Sequence, residues 1–127
     1  MSQLERFCNK KHVRIESTMV GENPNMSDMP AGSYHYKVTL RFRRRTLTTY
    51  FSCGPAIDHE PTAADVLSCL CSDANAGAQD FEEFCSDLGY DTDSRRAEKA
   101  WRACQNMADR LPVFLGEDFN EFCNAEH

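Results

Sequence analysis

The chain has 127 residues, of which 41% are hydrophobic and 27% charged, and its formal net charge is −6. This composition fits one compact domain over residues 1–127 and excludes collagen-like and low-complexity proteins. No apolar run approaches the roughly 20 residues that a membrane-spanning helix needs. The first residues also lack the apolar stretch of a secretory signal, so we expect a cytoplasmic protein.

Three β-strands are predicted in the first half of the chain, at residues 11–20, 34–43 and 46–53. The second shows the clearest alternation, because apolar and polar side chains take turns from Tyr34 to Phe42. The Gly-, Pro- and Asn-rich segment before it predicts a long loop. The pattern predicts a three-stranded antiparallel sheet with one apolar face. Its polar face would carry Arg14, His35, Lys37, Arg41 and Tyr50.

Helices are predicted in the second half, where the hydrophobic period changes from two to 3.6. Four are expected, at residues 62–75, 80–88, 94–111 and 117–124. The apolar stripe predicted for the first consists of Ala63, Val66, Leu67, Leu70, Cys71 and Ala74. The stripe of the second consists of Phe81, Phe84, Cys85 and Leu88, and Gly89 is expected to end that helix. The last is expected to have Glu117 and Asp118 in its first turn. The first begins with Thr62 and Asp65, a spacing similar to a capping box, and Pro112 is expected to limit the third. Together the elements predict an α+β fold in which about four helices pack on one face of the sheet.

Seven cysteines are many for a cytoplasmic protein, and an odd number cannot all pair within one chain. Four lie on the apolar stripes of the predicted helices and are expected to act as packing residues: Cys71, Cys85, Cys104 and Cys123. The spacing of Cys69 and Cys71 is poor for zinc. We therefore expect no metal, no cofactor and no catalytic residue. A zinc site completed by histidines (His12, His35, His59), or a Cys53–His59 nucleophile, is kept as an alternative.

Charge is distributed unevenly along the chain. Residues 1–60 carry net +3 and residues 61–127 net −9. The densest acidic cluster consists of Glu82, Glu83, Asp87, Asp91 and Asp93. Carboxylates on successive helical turns can imitate phosphates and occupy a cationic nucleic-acid channel in another protein. The opposite reading is a basic hairpin that binds nucleic acid through Arg41, Arg43, Arg44, Arg45 and Tyr50.

Three segments carry a resemblance to a known group of proteins: Pro61–Leu67, Phe81–Cys85 and Leu88–Glu98. In these the chain resembles small proteins encoded by bacteriophages and integrated mobile elements, and the similarity extends over roughly residues 34–120. The stretch from Gly89 to Glu98 is its most specific part. The resemblance implies a genomic setting, in which anti-CRISPR inhibitors occur, and it assigns no functional residues.

Three functional hypotheses follow. The leading one is a non-enzymatic accessory protein that binds and inhibits a host defence complex, as anti-CRISPR proteins do, through the acidic cluster. The second is a nucleic-acid-binding accessory protein that uses the basic hairpin. The third is a zinc- or thiol-dependent enzyme.

Overall fold

The computed structural model describes residues 2–22, 34–53 and 60–125, and within these it leaves out the side chains of residues 20–22, 34–35 and 52–53. The fold is α+β, with a three-stranded antiparallel sheet of order β1-β2-β3, as predicted. Its elements in chain order are α1 (Gln3–Lys11), β1 (Arg14–Glu22), β2 (Tyr34–Phe42), β3 (Arg45–Cys53), α2 (Ala63–Gly77), α3 (Phe81–Leu88), α4 (Arg95–Leu115), a 3-10 helix (Gly116–Asp118) and α5 (Phe119–Asn124).

The chain divides into two compact units, and the boundary lies within α2, between Val66 and Leu67. The N-terminal unit contains α1 and the sheet. The C-terminal unit contains most of α2 and the helices that follow it. That residues 1–127 form one domain stays a prediction. No helix in the described part of the chain is both long enough and apolar enough to span a membrane.

Helix α1 was not predicted, and the first strand was predicted to begin too early. Ser2 caps the helix by accepting a hydrogen bond from the Glu5 backbone N–H at 3.1 Å, and Leu4 and Cys8 are buried one turn apart. His12 ends the helix in the left-handed conformation, with φ of 58°. Because residue 11 closes this helix, β1 begins only at Arg14.

The sheet has the apolar face that its alternation predicts. Ile15 pairs with Leu40, and Leu40 pairs with Leu47, so these side chains form one row across the three strands. The side chains buried on β2 and β3 are Tyr36, Val38, Leu40, Phe42, Leu47 and Phe51. The charged side chains of the alternate positions, Arg14, Glu16, Lys37 and Arg41, are exposed.

Helix α2 begins at the predicted capping box. The Thr62 N–H donates to Asp65 Oδ2 at 2.9 Å, and the Asp65 N–H donates to Thr62 Oγ1 at 3.2 Å, so each side chain satisfies an N–H group that the helix leaves unpaired. All six side chains of the predicted stripe are buried: Ala63, Val66, Leu67, Leu70, Cys71 and Ala74.

Helices α3 and α4 form a helical hairpin with local stop and start signals. Gly89 ends α3 with φ of 74°, and the Ser94 hydroxyl accepts the Ala97 N–H at 3.2 Å to begin α4. Phe84 and Cys85 are buried as predicted, whereas Leu88 is 58% exposed. The prediction for Leu88 is therefore wrong, because α3 ends there and the chain turns away at Gly89.

We expected Pro112 to limit α4, but the helix continues past it. Pro112 lies inside the helix, which continues to Leu115 before the Gly116 N–H donates to the Pro112 carbonyl. Leu111, Phe114 and Leu115 are buried at helical spacing on either side of the proline. Their burial outweighs the loss of one backbone hydrogen bond, which explains why the last turn persists.

The last predicted helix is divided in two. The acidic residues expected in its first turn, Glu117 and Asp118, instead belong to the 3-10 helix, and Asp118 is buried. Helix α5 begins only at Phe119 and buries Phe122. In its described residues the structure contains five α-helices where about four were predicted, and the additional one is α1.

Candidate functional site

The turn between β2 and β3 consists of two arginines in an uncommon backbone conformation. Phe42 pairs with Arg45, which leaves Arg43 and Arg44 as a two-residue turn with φ of 49° and 66°. Positive φ at both central residues is the pattern of a type I′ turn, in which Asn-Gly is the favoured sequence. Residues with a Cβ are disfavoured there by roughly 1–2 kcal/mol each. The turn therefore has two cationic side chains at positions where Asn and Gly would have less backbone strain.

Exposed cations extend from this turn onto the polar face of the sheet. In one row Arg14 pairs with Arg41, and in another Thr18 pairs with Lys37, which pairs with Tyr50. Lys37 and Arg41 lie roughly 13 Å apart along β2, from a rise of about 3.3 Å per residue. We call the following set the basic surface: Arg14, Lys37, Arg41, Arg43, Arg44 and Tyr50. Arg45 is exposed but does not belong to it, because Arg45 pairs with the buried Phe42 and strand alternation places its side chain on the other face of the sheet.

Most of the basic surface lies on a hairpin that has no acidic residue of its own. Residues 34–53 contain five Lys or Arg and no Asp or Glu. Glu16 on β1 approaches Arg41 at 3.6 Å, but both side chains are more than half exposed, and such surface ion pairs contribute little. The Arg43 guanidinium lies over the Phe42 ring, 5.2 Å from its centroid. Tyr50 is 71% exposed, and so offers an aromatic ring beside the cation of Lys37.

The five carboxylates predicted for partner binding are all exposed, and we call them the acidic surface: Glu82, Glu83, Asp87, Asp91 and Asp93. Glu83 and Asp87 lie one helical turn apart on α3. Asp87 accepts a hydrogen bond from Gln79 Nε2 at 2.5 Å. The neighbouring Asp80 is occupied as the cap of α3, because it accepts the Glu83 N–H at 2.8 Å.

Packing between α3 and α4 supports the acidic surface. Phe84 stacks on Tyr90 with ring centroids 6.1 Å apart, and Phe81 packs against Trp101 at 5.5 Å. The Trp101 indole N–H donates to the Gln79 carbonyl at 3.0 Å. These contacts fix both ends of α3 and therefore the helix that carries Glu82, Glu83 and Asp87.

The C-terminal unit is not uniformly acidic, because the first turns of α4 expose Arg95, Arg96, Lys99 and Arg102. Arg102 pairs with Glu98 at 2.7 Å across one helical turn. The acidic surface thus belongs to a unit of mixed charge, whereas the hairpin of β2 and β3 carries cations alone.

Of the six cysteines whose side chains the structure describes, three are buried, two are half-buried (Cys104 and Cys123), and Cys69 is exposed. Burial, followed by the nearby Glu5 carboxylate, raises the pKa of the Cys8 thiol to about 11. Burial and the Asp73 carboxylate raise the pKa of Cys104. Burial also raises that of Cys123, which a hydrogen bond with Cys71 partly offsets. A raised pKa lowers the thiolate fraction at neutral pH, as expected for thiols that serve as packing residues.

The residues predicted for zinc or thiol chemistry are only partly described. His59 and the side chains of His35 and Cys53 lie outside the described residues. Among residues 2–22, 34–53 and 60–125, no three His, Cys, Asp or Glu side chains lie close enough together to hold a metal ion.

Two features of the site could not be predicted from the sequence. The sequence does not predict the type of the turn between β2 and β3, because neither Asn nor Gly marks it. The structure shows a two-residue turn, since Phe42 pairs with Arg45. The approach of Cys71 to Cys123 had no local signal, since 52 residues separate them. No known protein family, curated protein or solved structure matches the chain, so its function is inferred from its own residues.

Proposed function

We propose that the chain is a non-enzymatic accessory protein that binds nucleic acid through the basic surface in the cytoplasm. The observation that carries the proposal is the pair of arginines at positive φ in the turn of the hairpin. A strained backbone persists where the rest of the structure holds it, and such positions cluster at functional sites. Here the strained residues are Arg43 and Arg44, and they form the tip of a hairpin that contains no acidic residue.

The chemistry of the basic surface favours a single strand as the ligand. Lys and Arg neutralise phosphates regardless of sequence, and an exposed aromatic ring stacks on an unpaired base. Tyr50 provides that ring, and Lys37 lies directly opposite it on β2. A duplex offers phosphates but keeps its bases stacked, so Tyr50 would add little to duplex binding.

The test is a double variant of the turn, Arg43→Asn with Arg44→Gly. We expect its free energy of unfolding to rise by about 1 kcal/mol, because Asn and Gly tolerate positive φ. Its affinity for a labelled single-stranded 20-mer should fall, because two cations are lost. Fluorescence anisotropy between 50 and 200 mM KCl should give a log–log salt slope near −3.5 for the parent if five phosphates are neutralised, and about 1.4 shallower for the variant.

Two matched variants control this experiment. Arg43→Lys with Arg44→Lys keeps the charge, and should keep the salt slope. Arg95→Gln with Lys99→Gln removes two exposed cations from α4, and should leave the affinity unchanged. Tyr50→Ala should weaken single-strand binding about tenfold and duplex binding much less. No binding at 50 mM KCl, or an equal loss from the α4 variant, would contradict the proposal.

We propose as a second candidate an inhibitor that binds a host defence complex, such as a CRISPR effector, through the acidic surface. The supporting observation is that all five carboxylates are exposed, on one rigidly packed helix and the turn after it. Exposed carboxylates on a fixed helix can compete with nucleic acid for a cationic channel. The partner in this case is a protein complex, and the basic surface has no part in binding it.

This candidate is tested by plaquing a targeted phage on CRISPR-immune hosts that express the chain. We expect the chain to restore plaques, and the triple variant Glu82→Lys, Glu83→Lys, Asp87→Lys to lose most of that rescue because its surface would repel the same channel. A control with Asp109, Glu117 and Glu121 changed to Lys makes the same charge change elsewhere in the unit. The absence of rescue across the common CRISPR types, or equal losses in both variants, would rule this candidate out.

A further inference from the structure

Two cysteines that are distant in sequence meet in the C-terminal unit. Cys123 Sγ on α5 lies 2.8 Å from Cys71 Sγ on α2, and the contact is a hydrogen bond between thiols. A disulfide requires the two sulfur atoms to approach by about another 0.8 Å. We propose that Cys71 and Cys123 form a reversible disulfide that joins α2 to α5, a redox modification site independent of either proposed function.

The surroundings of the pair assign different roles to the two thiols. Cys71 is buried, with 3% of its surface exposed, whereas Cys123 is half-buried and can meet a small reagent. Burial raises the pKa of Cys123, so its thiolate is scarce at neutral pH and oxidation should accelerate as the pH rises. The neighbouring Phe122 is completely buried and holds α5 in place.

The reaction is thiol–disulfide exchange with a low-molecular-weight disulfide such as glutathione disulfide. The Cys123 thiolate attacks one sulfur of the reagent, forms a mixed disulfide and releases one glutathione thiolate. The Cys71 thiolate then attacks Cys123 Sγ and releases the second glutathione. The protein loses two protons and two electrons, and one reagent disulfide becomes two thiols.

Oxidation would have a structural consequence for the end of the chain. Helix α5 has six residues and is the last element that the structure describes. A bond between residues 71 and 123 closes a long loop, and cross-links of this kind reduce the entropy of the unfolded chain. We therefore expect the oxidised protein to unfold at a temperature several degrees above that of the reduced protein.

The experiment treats the purified, reduced protein with glutathione disulfide at pH 8, and follows it by peptide mapping without reduction and by thermal unfolding. A Cys71–Cys123 cross-linked peptide, a mass lower by 2 Da and a reversible rise in the unfolding temperature are expected. The variant Cys123→Ser should show neither the cross-linked peptide nor the rise in unfolding temperature. This variant is sufficient even if Cys71→Ser, at a buried position, does not fold. The variant Cys69→Ser removes an exposed thiol from the same helix, and should retain both effects.

Several results would overturn the inference. One is oxidised parent protein in which Cys71 and Cys123 are still thiols or carry only glutathione. Another is a disulfide that pairs either residue with a different cysteine. A Cys71–Cys123 cross-link that leaves the unfolding temperature unchanged would contradict the expected stabilisation of the oxidised protein. The parent protein alone, compared in its two redox states, decides between these outcomes.

Discussion

Replacing Phe84 by alanine is expected to lower the free energy of unfolding of the C-terminal unit by about 3–5 kcal/mol. Phe84 is 2% exposed, and it is surrounded by Cys85, Ala97 and the ring of Tyr90. Removing the ring loses the free energy gained by burying it. It also leaves a cavity, which the helices cannot fill because several other contacts hold them in place. Such a loss is a large part of the stability of a small protein.

The matched control for this prediction is Leu88→Ala on the same helix. Leu88 is 58% exposed, so its truncation should change the free energy of unfolding by about 0.5 kcal/mol. Urea unfolding monitored through Trp101, which packs beside Phe81 in the same helical hairpin, measures both variants. Equal losses from the two substitutions would show that the core of the hairpin lies elsewhere.

Replacing Gly77 by alanine is expected to destabilise the same unit by about 1–3 kcal/mol. A Cβ at this position would overlap the carbonyl group of Cys104 and lie 2.8 Å from the backbone nitrogen of Gln105. Backbone atoms cannot rotate out of the way as a flexible side chain could. The C-terminal end of α2 would therefore have to move away from α4.

Whether Gly77→Ala lowers or raises the free energy of unfolding distinguishes the effect of packing from that of helix propensity. Alanine is better than glycine by about 1 kcal/mol within a helix, so propensity alone predicts that Gly77→Ala stabilises the protein. Asn75→Ala, at an exposed position of the same helix, should be neutral or slightly stabilising. Urea unfolding of both variants makes the comparison. Stabilisation by Gly77→Ala would contradict the close approach of α2 to the backbone of α4.

Signals that act within a few residues predicted much of the fold. The reciprocal hydrogen bonds of Thr62 and Asp65 and the left-handed Gly89 follow from local stereochemistry, and both were predicted. The capping signal of α1 was equally local, since Ser2 precedes Glu5 by three residues, but the strand-like alternation after it was extended too far. The error arose because the helical pattern of α1 ends at His12 and the strand alternation of β1 begins directly after it.

Of the two candidate sites, one could be predicted from local sequence and the distinguishing feature of the other could not. Exposure of the acidic surface could be predicted, because charged residues on a helix face water unless they are paired. The positive φ angles of Arg43 and Arg44 could not, because they result from the register of two strands against an unfavourable local preference. The strain that distinguishes the basic surface is therefore a property of the folded sheet.

The sequence by itself determined the types of the strands and helices, the buried face of the sheet and of α2, and the uneven charge, because periodicity and capping depend on neighbours along the chain. Tertiary structure decided the course of α4 through Pro112, the close approach at Gly77 and the meeting of Cys71 with Cys123. Each of these depends on contacts between residues far apart in sequence. Burial and close packing provide those contacts, and local propensity does not encode them.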